Sequence, residues 1–310
     1  MEEPHKGGQR PLVSLSVTTW NLGYGGLGRG SDFVVDGGRH WLPPSRKAVK
    51  ANVAAICRWV SQRGDDVLLL QEVASAGFAN FWVDLRRRLS ESLAGRFRTE
   101  YADLKVRGFL PPLRLTHGVA TFSLKCPVKT ETWPLPNDGD YSSGWLAKRY
   151  AALVTRFEIP GRDRHWAVVN LHLAAFDTDG QLRRRQLAEV VRRAVAEAAS
   201  GGLVVIGGDW NMRLAKTRFT STTRPEHLAW LVDFDPAVLP QGWIVACDET
   251  RPTVRTNERP YSDGENYRAI IDGFVVGPGV VLDEIQACEL GFEHSDHHPV
   301  SAVFHWDEME

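Results

Sequence analysis

Apolar positions recur along the chain with two periods, and the places where one gives way to the other mark out the elements. Val13, Leu15 and Val17 alternate with Ser14, Ser16 and Thr18 up to Trp20-Asn21, the period-two pattern of a strand with one wet face. Val49, Val53, Ile56 and Val60 recur at helical spacing behind Ser45, a residue type that caps helix starts. Asp66 then leads into Val67-Leu68-Leu69-Leu70, a continuous apolar run of the kind found in strands covered on both faces, and the run ends in Gln71-Glu72. The spacing of Phe78, Phe81, Trp82, Leu85 and Leu89 predicts a second helix with Arg86, Arg87 and Arg88 on a solvated side. Strands are expected over residues 119–124, from Arg149 to 157 and, after a Pro160-Gly161 hairpin, over residues 166–173.

Asp177, Thr178 and Asp179 offer caps to a helix whose inner face is Leu187, Val190, Val191, Ala194, Val195 and Ala198. Arg183, Arg184, Arg185, Arg192 and Arg193 fall on its outer face. A second buried run, Leu203-Val204-Val205-Ile206, follows and ends in Gly207-Gly208-Asp209-Trp210-Asn211. From Arg213 to Pro260 the pattern weakens, with a faint helix around His227 to Leu231 and a turn at residues 261–266. Residues 270–276 form a strand interrupted by Asp272, and Val300 to Phe304 form the last. Leu110-Pro111-Pro112-Leu113 and the turn-rich stretch from Trp133 to Trp145 are loops that either fold back on the core or present apolar side chains to a ligand. Strands alternating with helices, without linker or repeat, predict one α/β domain with mixed sheets over residues 12–306, a flexible N-terminus at 1–11 and a tail at 307–310.

Charge and composition remove some functions. Lys+Arg 37 against Asp+Glu 38 leaves a formal charge of -1, so no global basic field draws the chain onto nucleic acid. The cysteines at 57, 126, 247 and 288 are scattered, which excludes a disulfide framework and a thiolate metal site. With a polar start and no run long enough to span a bilayer, the expectation is a cytoplasmic protein without a transmembrane segment. Oligomeric state is not legible.

The chemistry gathers where strands end, at Asn21, Glu72, His172, Asp209, Asn211, Asp272, Asp296 and His297. Each alone is explained by an Asx turn, a cap or a core histidine. Together they place oxygen donors and two imidazoles where crevices form in layered α/β proteins. In extended geometry Asp209 and Asn211 share a side, with Trp210 opposite; that pair suits a hard cation or a phosphate. Gly23-Tyr24-Gly25-Gly26-Leu27-Gly28 spells a dinucleotide fingerprint, but no helix opens behind it to receive a pyrophosphate, so it reads as a glycine loop near the site. His294, His297 and His298 raise a structural zinc, against which stand the missing cysteines and the missing second ligand pair.

In order, Thr19-Trp20-Asn21, Gln71-Glu72, Asn170-Leu171-His172, Gly208-Asp209-Trp210-Asn211, Ile271-Asp272 and Ser295-Asp296-His297-His298-Pro299 resemble the signature of the endonuclease/exonuclease/phosphatase superfamily, over residues 12–304. That superfamily includes pancreatic-type deoxyribonuclease, apurinic endonucleases, neutral sphingomyelinases and inositol-polyphosphate 5-phosphatases. The resemblance implies a four-layer α-β-β-α sandwich of two mixed sheets, deoxyribonuclease I-like, with a divalent-metal site at one rim. It implies Mg²⁺ or Mn²⁺, cations suited to oxygen ligands and phosphoryl charge. Glu72 is the implied first ligand, assisted by Asn21 and, for a second ion, by Asp209, Asn211 and Asp296. His297 is the implied base, oriented by Asp272, with Asp209 as its rival; His172 holds the phosphoryl group or protonates the leaving oxygen. Asn211 orients the nucleophile or phosphate, and Arg149 is a further phosphate contact.

The implied activity is metal-dependent phosphoester hydrolysis by a phosphodiesterase or nuclease, with DNA or RNA among the candidate substrates. A lipid-headgroup or small-ester hydrolase is the alternative, and a non-catalytic binding module the third. Nuclease action requires the arginines at 86–88 or 183–193 to border the site. A lipid substrate requires an exposed apolar patch from the loops at 110–113 or 133–145 beside it, and a small ester requires a closed, deep pocket.

Overall fold

The computed structural model describes residues 14–106, 115–137, 148–175, 177 and 179–307. The elements run β1 (Ser14–Asn21), α1 (Arg46–Ser61), β2 (Val67–Gln71), α2 (Leu85–Ser92), β3 (Phe97–Val106), β4 (Leu115–Ser123), β5 (Lys129–Pro134), β6 (Ala151–Glu158), β7 (His165–His172), α3 (Gln181–Ala199) and β8 (Gly202–Asp209). They continue with β9 (Ile244–Ala246), β10 (Val254–Arg255), β11 (Arg268–Ala269), β12 (Asp272–Val276), β13 (Val280–Ala287) and β14 (Val300–Trp306). One six-stranded sheet has the order β13-β14-β1-β2-β4-β3, the other β5-β6-β7-β8-β12-β9. Both are mixed: β1–β2 and β7–β8 are parallel pairs within otherwise antiparallel sheets.

The continuous apolar runs are explained by what lies on each face. In β2, Leu68 and Leu70 pack with Val49, Val53 and Ile56 of α1 and Leu85 and Leu89 of α2, whereas Val67 and Leu69 join Val168, Val205, Phe274 and Phe304 between the sheets. In β8, Val204 and Ile206 meet Leu187, Val190 and Val191 of α3, while Leu203 and Val205 face the other sheet. Period two therefore persists inside the runs, with both phases buried. The result is the expected four layers: helices, sheet, sheet, helix.

Gly207 and Gly208 are required by approach. A Cβ on Gly208 would sit 1.9 Å from the Leu171 carbonyl oxygen of the adjacent β7, and one on Gly207 would sit 2.8 Å from Leu69 Cδ1 of the facing sheet. A buried amide bridge ties the sheets beside them, Gln71 Nε2 donating to Asn170 Oδ1 at 2.8 Å and Asn170 Nδ2 donating to the Ala120 carbonyl at 3.1 Å. Both amides belong to the ordered motifs, and they join the layers below the rim.

Several expectations need correcting. The second helix begins only at Leu85, capped by Asp84, whose side chain accepts from Arg87 N; Phe78–Asn80 is a single 3₁₀ turn, and Phe81 and Trp82 break the helix with left-handed φ of 51° and 58°. Trp133 lies in β5 and is buried, its Nε1 donating to Glu131. The faint helix near 227 is one 3₁₀ turn, Pro225–Leu228. Arg183 is not on a solvated face: it is fully buried, donating to the carbonyls of Asn211 and Asp177. The strand at 270–276 starts at Asp272, because the carbonyls of Ile270 and Ile271 accept from Leu214 N and Trp210 N. Edge strand β13 was not anticipated; only its ends, Val280 and Ala287, are buried. The N-terminus at 1–11, the loop at 110–113 and residues 138–145 lie outside the described residues.

Candidate active site

Strand register assembles the site. In the parallel pair β1–β2, Asn21 lies opposite Gln71, so Glu72 emerges one residue beyond it. In the other sheet His172 and Asp272 each lie opposite Asp209. The segment 295–298 is drawn beneath β1 by Trp20 Nε1, which donates to the His297 carbonyl at 2.9 Å, and by Ser295 Oγ, which donates to the Asn21 carbonyl at 2.8 Å. Two facing sheets thus contribute to one rim.

Its centre is Asp209. Oδ2 accepts from Asn21 Nδ2 at 2.9 Å and lies 3.7 Å from His172 Nε2 and 3.8 Å from His297 Nε2. Oδ1 accepts from Asn211 N at 2.8 Å. That last bond shows a turn where extended geometry is the simplest reading: β8 stops at Asp209, and Asn211 has φ +48°. Both side chains still line the cavity, while buried Trp210 points away, its Nε1 donating to Gly273 and its ring edge-on to Phe234. Glu72 and Tyr24 share the left-handed backbone, with φ of 53° and 41°. Such residues cost about 1–3 kcal/mol each and persist where surroundings hold them; here buried Arg183 and the Leu173 carbonyl grip Asn211.

His297 Nδ1 is 2.9 Å from Asp272 Oδ2, and Thr253 Oγ1 accepts from Asp272 N to steady that strand end. Burial works against a charged His297, but Asp272 and Asp209 outweigh it and hold the imidazole well above its usual range. Burial lifts the Asp272 carboxyl towards about 6, opposed by the His297 charge. His172 behaves oppositely: burial, with Lys148 repelling a second cation, pushes it down to about 4, leaving it neutral. The two sites thus favour opposite forms, the cation at His297 and the neutral ring at His172. Against the zinc reading, the group of converging ligand atoms found among the described residues contains neither His294 nor His298, and His298 accepts from Phe292 N and bonds Pro252 while His297 faces Asp272.

Among the described residues, Asp209, Asp272 and His297 bring ligand atoms within 4.8 Å of one another. Asp272 and His297 spend one donor atom each on the other, which leaves Asp272 Oδ1 without a partner. Burial and the nearby Asp296 charge push Glu72 up to about 7, and its buried Oε2 has no partner. A divalent cation removes both penalties at once. Asp296 is steadied by Asn257, whose Nδ2 donates to Oδ2 at 2.7 Å.

Asn21, Glu72, His172, Asp209, Asn211, Asp296 and His297 line a cavity of about 690 Å³, with Asp272 behind His297. Arg149 does not line it: its side chain is exposed, and Lys148, one residue earlier and so on the opposite side of an extended chain, does. Lys148 Nζ is 3.6 Å from Asp103 Oδ2, and although burial disfavours its charge, Asp103 raises it to about 12. Lys148, His117, Arg255 and Asn257 line the cavity without having been singled out from sequence. Only the proximity of Lys148 to Arg149 in the chain hinted at any of them. Arg183 reaches the site only from behind, through the Asn211 carbonyl, and other members of the arginine clusters are engaged elsewhere: Arg86 pairs with Glu100, Arg87 with Glu91, and Arg192 and Arg193 with Glu189. None lines the cavity.

Comparison with known proteins identifies the family and the fold. A family model described as the Endonuclease/Exonuclease/phosphatase family matches residues 18–297. An endonuclease/exonuclease/phosphatase from Beutenbergia cavernae superposes with a TM-score of 0.62 at 18% identity, covering 94% of this chain and 72% of that one. TDP2 from D. rerio, solved with a single-strand DNA product, superposes with 0.56 at 18% identity, covering 94% and 98%. A family protein from Leptotrichia buccalis gives 0.57 at 11% identity, covering 94% and 100%. No curated protein matches the chain.

Proposed function

The chain belongs to the endonuclease/exonuclease/phosphatase family, and from that premise we propose that it is a divalent-metal-dependent phosphoester hydrolase of the phosphodiesterase or nuclease type, using Mg²⁺ or Mn²⁺. The observation that carries the reading is Asp209 Oδ2, which Asn21 holds at 2.9 Å with two imidazoles in opposite protonation states within 3.8 Å. Hydrolysis needs such a group: a proton acceptor for water beside donors for the phosphoryl oxygens.

Glu72 holds the cation, with Asn21 and Asp296 beside it. When bound, that cation neutralises charge on the phosphoryl oxygens. Asp209 takes the proton of the attacking water; the protonated state of His297 moves this role to Asp209 and makes His297 a donor to a phosphoryl oxygen. Asp272 keeps His297 charged and oriented. His172, neutral, receives the leaving-group side of the ester, and Asn211 orients the phosphate through the turn that Arg183 fixes. Lys148 replaces Arg149 as the phosphate-side cation. DNA or RNA remains among the candidate substrates beside lipid-headgroup and small esters. No described helix is long and apolar enough to cross a membrane, and a cytoplasmic site of action is part of this proposal.

The test is hydrolysis of bis-p-nitrophenyl phosphate. Activity is expected to vanish with chelator, to return with Mg²⁺ or Mn²⁺, and to fall about 100-fold at fixed metal in Glu72→Gln, the scale of losing ligand charge at a metal site. Hydrolysis indifferent to chelator and equal in the variant would sink the proposal.

A further inference from the structure

The cavity carries a second surface that bond cleavage does not use. Its wall includes Phe33, Val34, Val35, Trp41, Phe78 and Trp230. They come from three separate stretches: the loop between β1 and α1, the turn beyond β2 and the chain following the 3₁₀ turn Pro225–Leu228. Trp41 is 72% exposed and Phe78 38%, so these rings forgo the burial that stabilises apolar side chains elsewhere. Single exposed apolar residues are ordinary, but exposed Val35, Trp41 and Phe78 beside half-buried Phe33, Val34 and Trp230, all on the cavity that holds Glu72 and Asp209, mark a ligand surface.

Charge decides what that ligand is. A phosphate fills a small part of about 690 Å³, which leaves most of the space to the organic side of the ester. Among the described cations that line it, Arg255 is 1% exposed and donates to the carbonyls of Leu27, Gly28 and Thr256, while Lys148, paired with Asp103, and His297, paired with Asp272, are both assigned to the one reacting phosphate. Asp36, Asp177 and Glu226 also line the cavity, and carboxylates there repel further phosphates. A polyanionic strand lying along the wall is therefore disfavoured. Four of the six wall residues are aromatic, and aromatic faces favour flat partners.

Resting on the hydrolase reading above, we propose that the substrate is an ester with a single charged phosphate and a flat apolar ring on its organic side, the ring stacking on Trp41, Phe78 and Trp230. A nucleobase and the aryl group of a non-nucleotide ester share this chemistry.

Calorimetry with product-like ligands tests the proposal without requiring turnover. In Mg²⁺, 1-naphthyl phosphate is expected to bind at least about 30-fold tighter than methyl phosphate, with cyclohexyl phosphate within about fivefold of methyl, the scale of stacking one base. Trp41→Ala and Phe78→Ala are each expected to weaken naphthyl phosphate about tenfold. Thymidine 5′-monophosphate binding within threefold of naphthyl phosphate identifies the ring as a nucleobase; weaker binding assigns it to a non-nucleotide aryl ester. Equal affinity for naphthyl and cyclohexyl phosphates, or no effect of either variant, overturns the stacking. Tighter binding to phosphatidylcholine vesicles than to naphthyl phosphate overturns it in favour of a lipid. Hydrolysis of bis-p-nitrophenyl phosphate without ring selectivity refutes this inference alone, and ring selectivity without hydrolysis refutes the proposed reaction alone.

Discussion

Asp209→Asn is expected to lower kcat/KM for bis-p-nitrophenyl phosphate by about a thousandfold, within the 10²–10⁴ range of positioned acid–base groups. The substitution keeps the size of the side chain and removes its ability to accept a proton. It also turns a shared acceptor into a conflict: an amide nitrogen at Oδ2 would face Asn21 Nδ2 at 2.9 Å, with His297 Nε2 at 3.8 Å already protonated. The flipped amide restores one contact but sets its nitrogen against Asn211 N, 2.8 Å from Oδ1. Circular dichroism and a melting curve separate lost chemistry from lost folding. The pH profile then divides Asp209 from His297. His297 is held protonated well above its usual range, so if it donates to the phosphoryl oxygen, activity falls as pH rises through its pKa. A base at His297 gives the reverse, a rate that climbs through that pKa. A Asp209→Asn variant that folds normally and keeps activity within tenfold, with a climbing alkaline limb, would return the base role to His297.

Arg156→Met is expected to cost about 3–5 kcal/mol, the scale of breaking a buried ion pair from one side. For a chain of this length that corresponds to a fall in Tm of about 10 °C. Arg156 lies on β6, remote from the rim, with Nε and Nη2 each 2.6 Å from Glu197 on α3 and Nη2 also 2.7 Å from Glu131 on β5. Side-chain exposure is 11% for Arg156 and 8% for Glu197, so the abandoned carboxylate stays dry, with His165 Nε2 at 2.7 Å beside it. Replacing both partners, Arg156→Met with Glu197→Leu, should recover most of the loss, because the pair's net worth is small once neither charge is buried alone. Hydrogen bonds from Arg156 lower the Glu131 carboxyl to about 2, and against the pull of burial they also lower Glu197. Both carboxylates therefore stabilise the fold above ordinary carboxylate pKa values, and the contribution is lost as pH falls towards 2. Thermal melts from pH 7 to 3 should show the wild type losing its margin over Arg156→Met as the acids protonate.

How much could be read from the chain alone depended on whether a feature was periodic. The runs ending in Glu72 and Asp209 were legible because burial on both faces leaves an uninterrupted apolar segment that stops where polar chemistry begins. Their gathering at one crevice followed from the strand ends, whereas their arrangement across two sheets came only with the resemblance, since register is not a local property. The false extension of α2 arose because Phe78, Phe81 and Trp82 keep helical spacing while Phe81 and Trp82 adopt left-handed φ, which spacing does not encode. Arg183 was misplaced for a related reason: it shares a basic run with exposed neighbours, yet caps carbonyls of the turn that shapes Asn211. Arg255 and Asn257 lie in an irregular stretch where no period identifies a facing side. Arg149 was one residue from Lys148, and in extended chain one residue is the difference between solvent and cavity.

The order of strands also governs when this site comes into being. β1 lies between β14 and β2, so the sheet started by the first strand is completed by the last. The whole second sheet is made in the interval. A nascent chain therefore holds Asn21, Glu72, His172 and Asp209 well before Asp296 and His297 leave the ribosome, and β1 waits with an unpaired edge. Asp296 and His297 thus join the rim after its other members, and until β14 arrives the open edge of β1 is free to pair with another chain.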